Sequence, residues 1–387
     1  MSGPIEELIV HPPEAARIAA IPCPNSYYAY PHLTCLAPVP DAIRPTLESL
    51  WSASIHPGRD VLAYRLTDVY VAEEGLVFDG AGKLLSPTRT YHTDDQIRRG
   101  HAAVLAAISA GSAPALDRGV LAKSRGADNY GHFIVEMLPR AWLARTRLGL
   151  ADWPVLIFDE PEAVRQVATA ALQVAGIPSE AIVPLGRAPA FLRELVVIDG
   201  LTWHSLYLSP IVMQCLDAVT AGIEPGPQAD LYATRRPSRT RDFAVEPAIA
   251  ARLRARGFRE IEAAGLSFAE QVAAFKGARS VVGCMGAALT NIVFCRPGTE
   301  VVVFTPCGAA EVFFWMIAEA RRLRYREIRC AEIGPQLGPL PWDRLIDVPP
   351  AALDRLLGAP PARAAEPGWA GRVSLPALRS VLARVRG

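Results

Sequence analysis

Three groups of side chains in this 387-residue chain have types and spacings suited to chemistry. In Asn129-Tyr130-Gly131-His132, continuing to Glu136 and Pro139-Arg140, His132 and Glu136 are four apart on an expected helix and so share one face. The carboxylate then either orients the imidazole or acts as a general base itself; the pair also suits a purely structural hydrogen bond. The second group, Arg235, Arg236, Arg239 and Arg241, follows an expected strand at Leu231-Tyr232-Ala233. In a doubly wound sheet that position opens on the ligand crevice, where guanidinium groups suit bidentate phosphate contact. A solvated basic loop is the alternative. The third is Gly283-Cys284-Met285-Gly286-Ala287-Ala288-Leu289-Thr290-Asn291, between the apolar runs Ser280-Val281-Val282 and Ile292-Val293-Phe294. A small-residue turn from a strand into a short helix presents backbone N–H groups to an anion, unless its small residues serve only close packing.

The elements that must position these groups read as alternating strands and helices. Residues 1 to 55 are rich in proline, including Pro22, Pro24, Pro31, Pro38, Pro40 and Pro45, and read as an irregular covering arm. Residues 60 to 86 read as a β-meander, turning at Asp79-Gly80-Ala81-Gly82. From about 100 onward come a helix from 101, another over 130 to 148 that Pro139 should kink, a strand at Pro154 to Phe158, a helix from Pro161 to Gly176, and strands at 181–185 and 195–198. Gly222-Ile223-Glu224-Pro225-Gly226-Pro227-Gln228 is the best linker. Beyond it, Glu246-Pro247 starts a helix, Ser267-Phe268-Ala269-Glu270 is a capping box, strands fall at 278–282 and 300–304, and a helix covers 311–324. Alternation at this spacing predicts parallel sheets covered by helices. The expected division is 1–221, 229–348 and a tail over 349–387.

Composition narrows the function classes. Forty Lys plus Arg against 39 Asp plus Glu leaves the chain nearly neutral, so nothing marks nucleic acid as a general partner and an anion site must be local. Seven cysteines without a Cys-x-x-Cys pair point to reduced thiols and a cytoplasmic location. The N-terminus does not read as a secretory signal, and no apolar run reaches the roughly 18 residues of a membrane span, which leaves peripheral contact with the inner face of the membrane open. Ala, Arg and Pro richness fits a high-GC bacterial coding sequence. Asp-x-Asp, His-Glu-x-x-His, the phosphate-loop and dinucleotide fingerprints, and the serine elbow are all missing, so no metal and no cofactor are expected.

In order and spacing, four blocks resemble glycosyltransferase family 61: Asn129 to Arg140, Arg235-Arg236 to Arg241 with Glu246, Leu266 to Gln271, and Gly283 to Asn291 with Pro297-Gly298. The resemblance runs over roughly residues 120 to 306. It implies a GT-B-like α/β architecture, two Rossmann-like domains facing across a cleft with the C-terminal one holding the sugar nucleotide. It also implies an inverting, metal-independent transfer of a sugar from a nucleoside-diphosphate sugar to a glycan or lipid-linked glycan acceptor, as in capsular or exopolysaccharide biosynthesis. Such a transfer needs a base for the acceptor hydroxyl and positive charge or N–H donors for the departing diphosphate. Glu136, acting itself or through His132, is the expected base. Arg235, Arg241, Gln271, Gly283, Met285, Gly286, Ala287, Thr290 and Asn291 are the expected donor-binding residues. Where the family usually has His-Gly-Ala, this chain has Met285-Gly286-Ala287, a thioether in place of an imidazole. The rival expectation is therefore a degenerate member that binds a sugar nucleotide or glycan without catalysis.

Overall fold

The computed structural model describes residues 4–159, 161–203, 207–235 and 240–358. Arg236, Arg239 and the tail beyond 358 lie outside the described residues. Two large sheets organise the rest.

In the second sheet, strands Phe258–Ile261, Ala229–Ala233, Ala278–Cys284, Glu300–Pro306, Arg324–Cys330 and His32–Cys35 lie side by side in that order, all parallel. Counted along the chain from Ala229, the order is 2-1-3-4-5, closed at the far edge by a strand from the N-terminal arm. The winding direction reverses between Ala229–Ala233 and Ala278–Cys284, and the crevice outside the carboxyl ends of such a strand pair is where open α/β sheets take ligands. Both faces are buried, which explains the continuous apolar runs. Leu231, Val281, Val301 and Val303 point to one core with Phe268, Val272, Trp315 and Met316, and Tyr232, Val282, Val302 and Phe304 to the other with Ile249 and Leu253.

The first sheet is mixed. Val61–Ala72, Leu76–Phe78 and Leu84–Leu85 form the expected meander, and Val61–Ala72 also pairs antiparallel with Ala190–Asp199. Ala190–Asp199, Ala115–Leu121, Val155–Phe158 and Ile182–Leu185 then continue the sheet in parallel. Val120, Val155, Ile157 and Val196 share one core with Leu138, Leu172 and Leu216 from the covering helices, and that core is continuous with the one beneath the second sheet.

Several local expectations change. The arm is not irregular throughout: strand Arg17–Ile21 pairs with the first sheet, His32–Cys35 with the second, and Arg44–Ser52 is helical. Pro45 sits in that helix's first turn, where a missing N–H costs nothing. Residues 222–228 lie between the two sheets in sequence but are fastened, with Gly226 N–H donating to Ala273 O at 2.8 Å and Lys276 Nζ to Ile223 O at 3.0 Å. The helix expected over 311–324 spans Phe313–Arg321, and Arg324 opens a strand whose apolar alternation is masked by a buried Glu327–Arg329 ion pair. Ahead of Pro139, Phe133–Met137 forms a wide π turn between the helical segments Tyr130–His132 and Leu138–Arg147. Proline has no N–H to return to Val135, and the widened turn absorbs the mismatch.

Helix Phe268–Lys276 carries the capping box in full, Ser267 accepting from the Glu270 N–H and Glu270 from the Ser267 N–H. Ser267→Ala should therefore lower stability by about 1 kcal/mol, read as a reduced midpoint in urea unfolding.

Candidate active site

Arg235 lies two residues past the carboxyl end of Ala229–Ala233, at the point of reversal. Its guanidinium bridges the two flanking loops: Nε and Nη2 donate to the Thr240 carbonyl (2.5 Å) and hydroxyl (2.9 Å), and Nη1 to the Met285 carbonyl (3.0 Å). Burial and the nearby Arg241 pull its pKa down to about 10. Arg241 lies with its Nε 3.2 Å from Asp343 Oδ1, and its backbone is left-handed at φ 60° with the N–H on Arg344 O. Burial lowers its pKa as well, against the pull of Asp343. Asp242 and Asp343 counter the repulsion that Arg235 feels from Arg241.

Gly286 forms the opposite wall. Its backbone is extended, and a Cβ there would come within 1.2 Å of Arg235 Nη1, so the glycine is required by the packed guanidinium. Ala287–Phe294 follows as a 3₁₀ helix, whose first N–H groups have no partner within the helix. Ala287 and Ala288 are partly exposed. Gly283 is not part of the turn: it pairs with Ala233 inside strand Ala278–Cys284, where a side chain would strike Ala233 O at 3.0 Å.

Met285 departs from the role expected of it. Its side chain is 2% exposed and belongs to the apolar core, while its backbone N–H donates to Phe304 O. The thioether therefore lines no part of the crevice; only the Met285 carbonyl does. Gln271 and Asn291 are likewise committed inward. Asn291 Nδ2 donates to Gln271 Oε1 (2.9 Å) and Ala288 O (3.0 Å), and Gln271 Nε2 donates to Leu266 O (3.1 Å). These amides fix the turn and touch no ligand surface. Thr290 is buried against Gly131, where a Cβ would lie 2.5 Å from its hydroxyl oxygen.

That contact brings the first sheet's chemistry to the second. Tyr130–His132 packs on Ala287–Phe294, with the Tyr130 hydroxyl donating to Asn291 Oδ1 at 2.5 Å. The next residues carry the dyad: His132 Nδ1 lies 2.8 Å from Glu136 Oε1. Glu136 is 2% exposed, behind an imidazole whose side chain is 21% exposed. Tyr91, which sequence reasoning missed, donates its hydroxyl to Glu136 Oε2 and lies 3.4 Å from His132 Nδ1. No local signal marks it, since it sits 45 positions upstream of Glu136.

A doubly wound sheet with a small-residue turn at its point of reversal defines the class, an α/β protein. The model of the family described as Glycosyltransferase 61 matches residues 130–302, from Tyr130 beside the dyad to strand Glu300–Pro306. Over this segment the match supports glycosyltransferase family 61 and, with it, a glycosyltransferase. No curated protein matches it. No helix among the described residues is long and apolar enough to cross a membrane.

If the thioether is core and not donor contact, Met285→His buries an imidazole among apolar side chains. It should destabilise the fold by about 1–3 kcal/mol in urea unfolding and bring no gain in nucleotide affinity by calorimetry.

Proposed function

We propose that the protein is an inverting transferase that moves a sugar from a nucleoside-diphosphate sugar to a hydroxyl of a glycan or lipid-linked glycan, in assembly of a bacterial polysaccharide at the inner face of the cell membrane. The observation that carries this is the packing of Gly131 on Thr290, which sets the His132–Glu136 dyad beside the Arg235–Gly286 crevice. The two sheets on either side of residues 222–228 support a GT-B-like reading, with 1–221 on the acceptor side and 229–348 on the donor side.

In this reading Arg235, Arg241 and the N–H groups at Gly286 and Ala287 hold the diphosphate. Burial of Glu136 moves first contact with the acceptor to His132. The imidazole takes the acceptor proton as the acceptor oxygen bonds to the anomeric carbon from the far side. The bond to the diphosphate breaks in the same step, its electron pair leaving with the diphosphate, where positive charge and N–H dipoles stabilise it. The cations are side chains in this scheme, and among the described residues no group of three or more His, Cys, Asp or Glu could hold a metal ion. A binding-only reading leaned on Met285, whose buried side chain gives it no support.

Metal-free calorimetry with a panel of nucleoside diphosphates and sugar nucleotides should show saturable binding of one class, weakened about tenfold or more in Arg235→Ala. A folded protein that binds none of an adequate panel would overturn the reading. With the donor so identified, Glu136→Gln should lower kcat by about a hundredfold or more while leaving donor affinity unchanged.

A further inference from the structure

We infer that Tyr91 is the third member of the proton-handling group, a positioning residue that keeps Glu136 ionised and His132 protonated on Nδ1. What the imidazole does with an acceptor rests on the proposed function; its protonation pattern rests on the contacts alone. The Glu136 carboxylate is buried and meets a donor at each oxygen, the Tyr91 hydroxyl at Oε2 and His132 Nδ1 at Oε1. A carboxylate with two donors is favoured as the anion, and an anion at Oε1 requires the proton on Nδ1. The basic lone pair then lies on Nε2, the nitrogen through which an acceptor hydroxyl would be deprotonated. Burial and Glu136 hold the Tyr91 hydroxyl far above its ordinary pKa, so it remains a donor at every pH of interest.

Tyr91 is itself held in place. Its ring centroid lies 6.1 Å from that of His132 and 5.9 Å from the Arg125 guanidinium, which also donates to the Tyr91 carbonyl. The imidazole is backed by Gly126, where a Cβ would stand 2.8 Å from its ring, and the Gly126 N–H is fixed on Glu74 Oε2 at 2.8 Å. The charged groups acting on Tyr91 are Glu136 and the cations Arg125 and Arg140. Removing the hydroxyl takes that donor from Oε2, so the carboxylate can carry a proton of its own and donate it to Nδ1, which moves the imidazole proton to Nε2.

The test is ring-nitrogen NMR of histidine-labelled protein, with the His132 signal assigned by its loss in His132→Gln. The expected result is a neutral imidazole carrying its proton on Nδ1 in the wild type, and a population protonated on Nε2 appearing in Tyr91→Phe. A neutral wild-type imidazole protonated on Nε2, or an unchanged tautomer in folded Tyr91→Phe, would overturn the inference. Should Tyr91→Phe fail to fold, the wild-type tautomer decides it alone. Failure of the nucleotide titration would sink the transferase reading and leave this result standing, so the two failures are distinguishable.

Discussion

The hydrogen bond from the Tyr130 hydroxyl to the Asn291 side chain is the joint on which the site depends. Asn291 is fully buried and spends its amide nitrogen on Gln271 and Ala288, so one side chain ties the dyad-bearing helix, the 3₁₀ helix and the capped helix Phe268–Lys276 together. Each bond of this kind contributes only about 1 kcal/mol net, but a partner stranded in the interior costs about 1–3 kcal/mol. The network is thus held more by the penalty of breaking it than by the gain of making it. Thr290 against Gly131, one residue away on each side, leaves no room for the two elements to slide.

That joint explains why the chain's two sheets share one continuous core. Helices from both sheets pack between them, and residues 222–228 are clamped along Phe268–Lys276 at Gly226 and Ile223. Strand His32–Cys35 crosses from the arm to complete the second sheet. A transfer reaction gains most when base and leaving-group stabilisers are already in register, because the entropy of bringing them together has been spent during folding. On the proposed reading that register would be set here by the contacts at Tyr130, Gly131, Thr290 and Asn291.

Much of the element pattern was legible in the sequence because it rests on local signals. The Ser267–Glu270 capping box, the meander turn after Phe78 and the continuous apolar runs read at 231–233, 278–282 and 300–304 each follow from local sequence alone. Strand Arg324–Cys330 was hidden because Glu327 and Arg329, which look like surface residues, neutralise each other inside. In the site, residue types were legible and directions were not. Gly283, Gln271 and Asn291 stand where the motif puts them, but their work is packing, and only the fold shows which way each points. Tyr91 was invisible because a tertiary contact across 45 positions leaves no trace in local spacing.

Gly286 shows how a motif can be right for a reason other than the first one offered. A small residue at the mouth of a helix is ordinarily read as clearance for a phosphate, yet here the clearance is taken by Arg235. Asp242 and Asp343 favour the charge of the guanidinium, which donates to the Thr240 carbonyl and hydroxyl and to the Met285 carbonyl. An anion exchanging with any of these would gain a charge-assisted bond at the loss of a neutral one, and charge-assisted bonds are roughly twice as strong. Burial, with Arg241 adding to it, holds Arg235 below its ordinary pKa, against the pull of Asp242 and Asp343. Arg235 thus ties Thr240 to the turn carrying Met285, so a change at either is felt through one guanidinium.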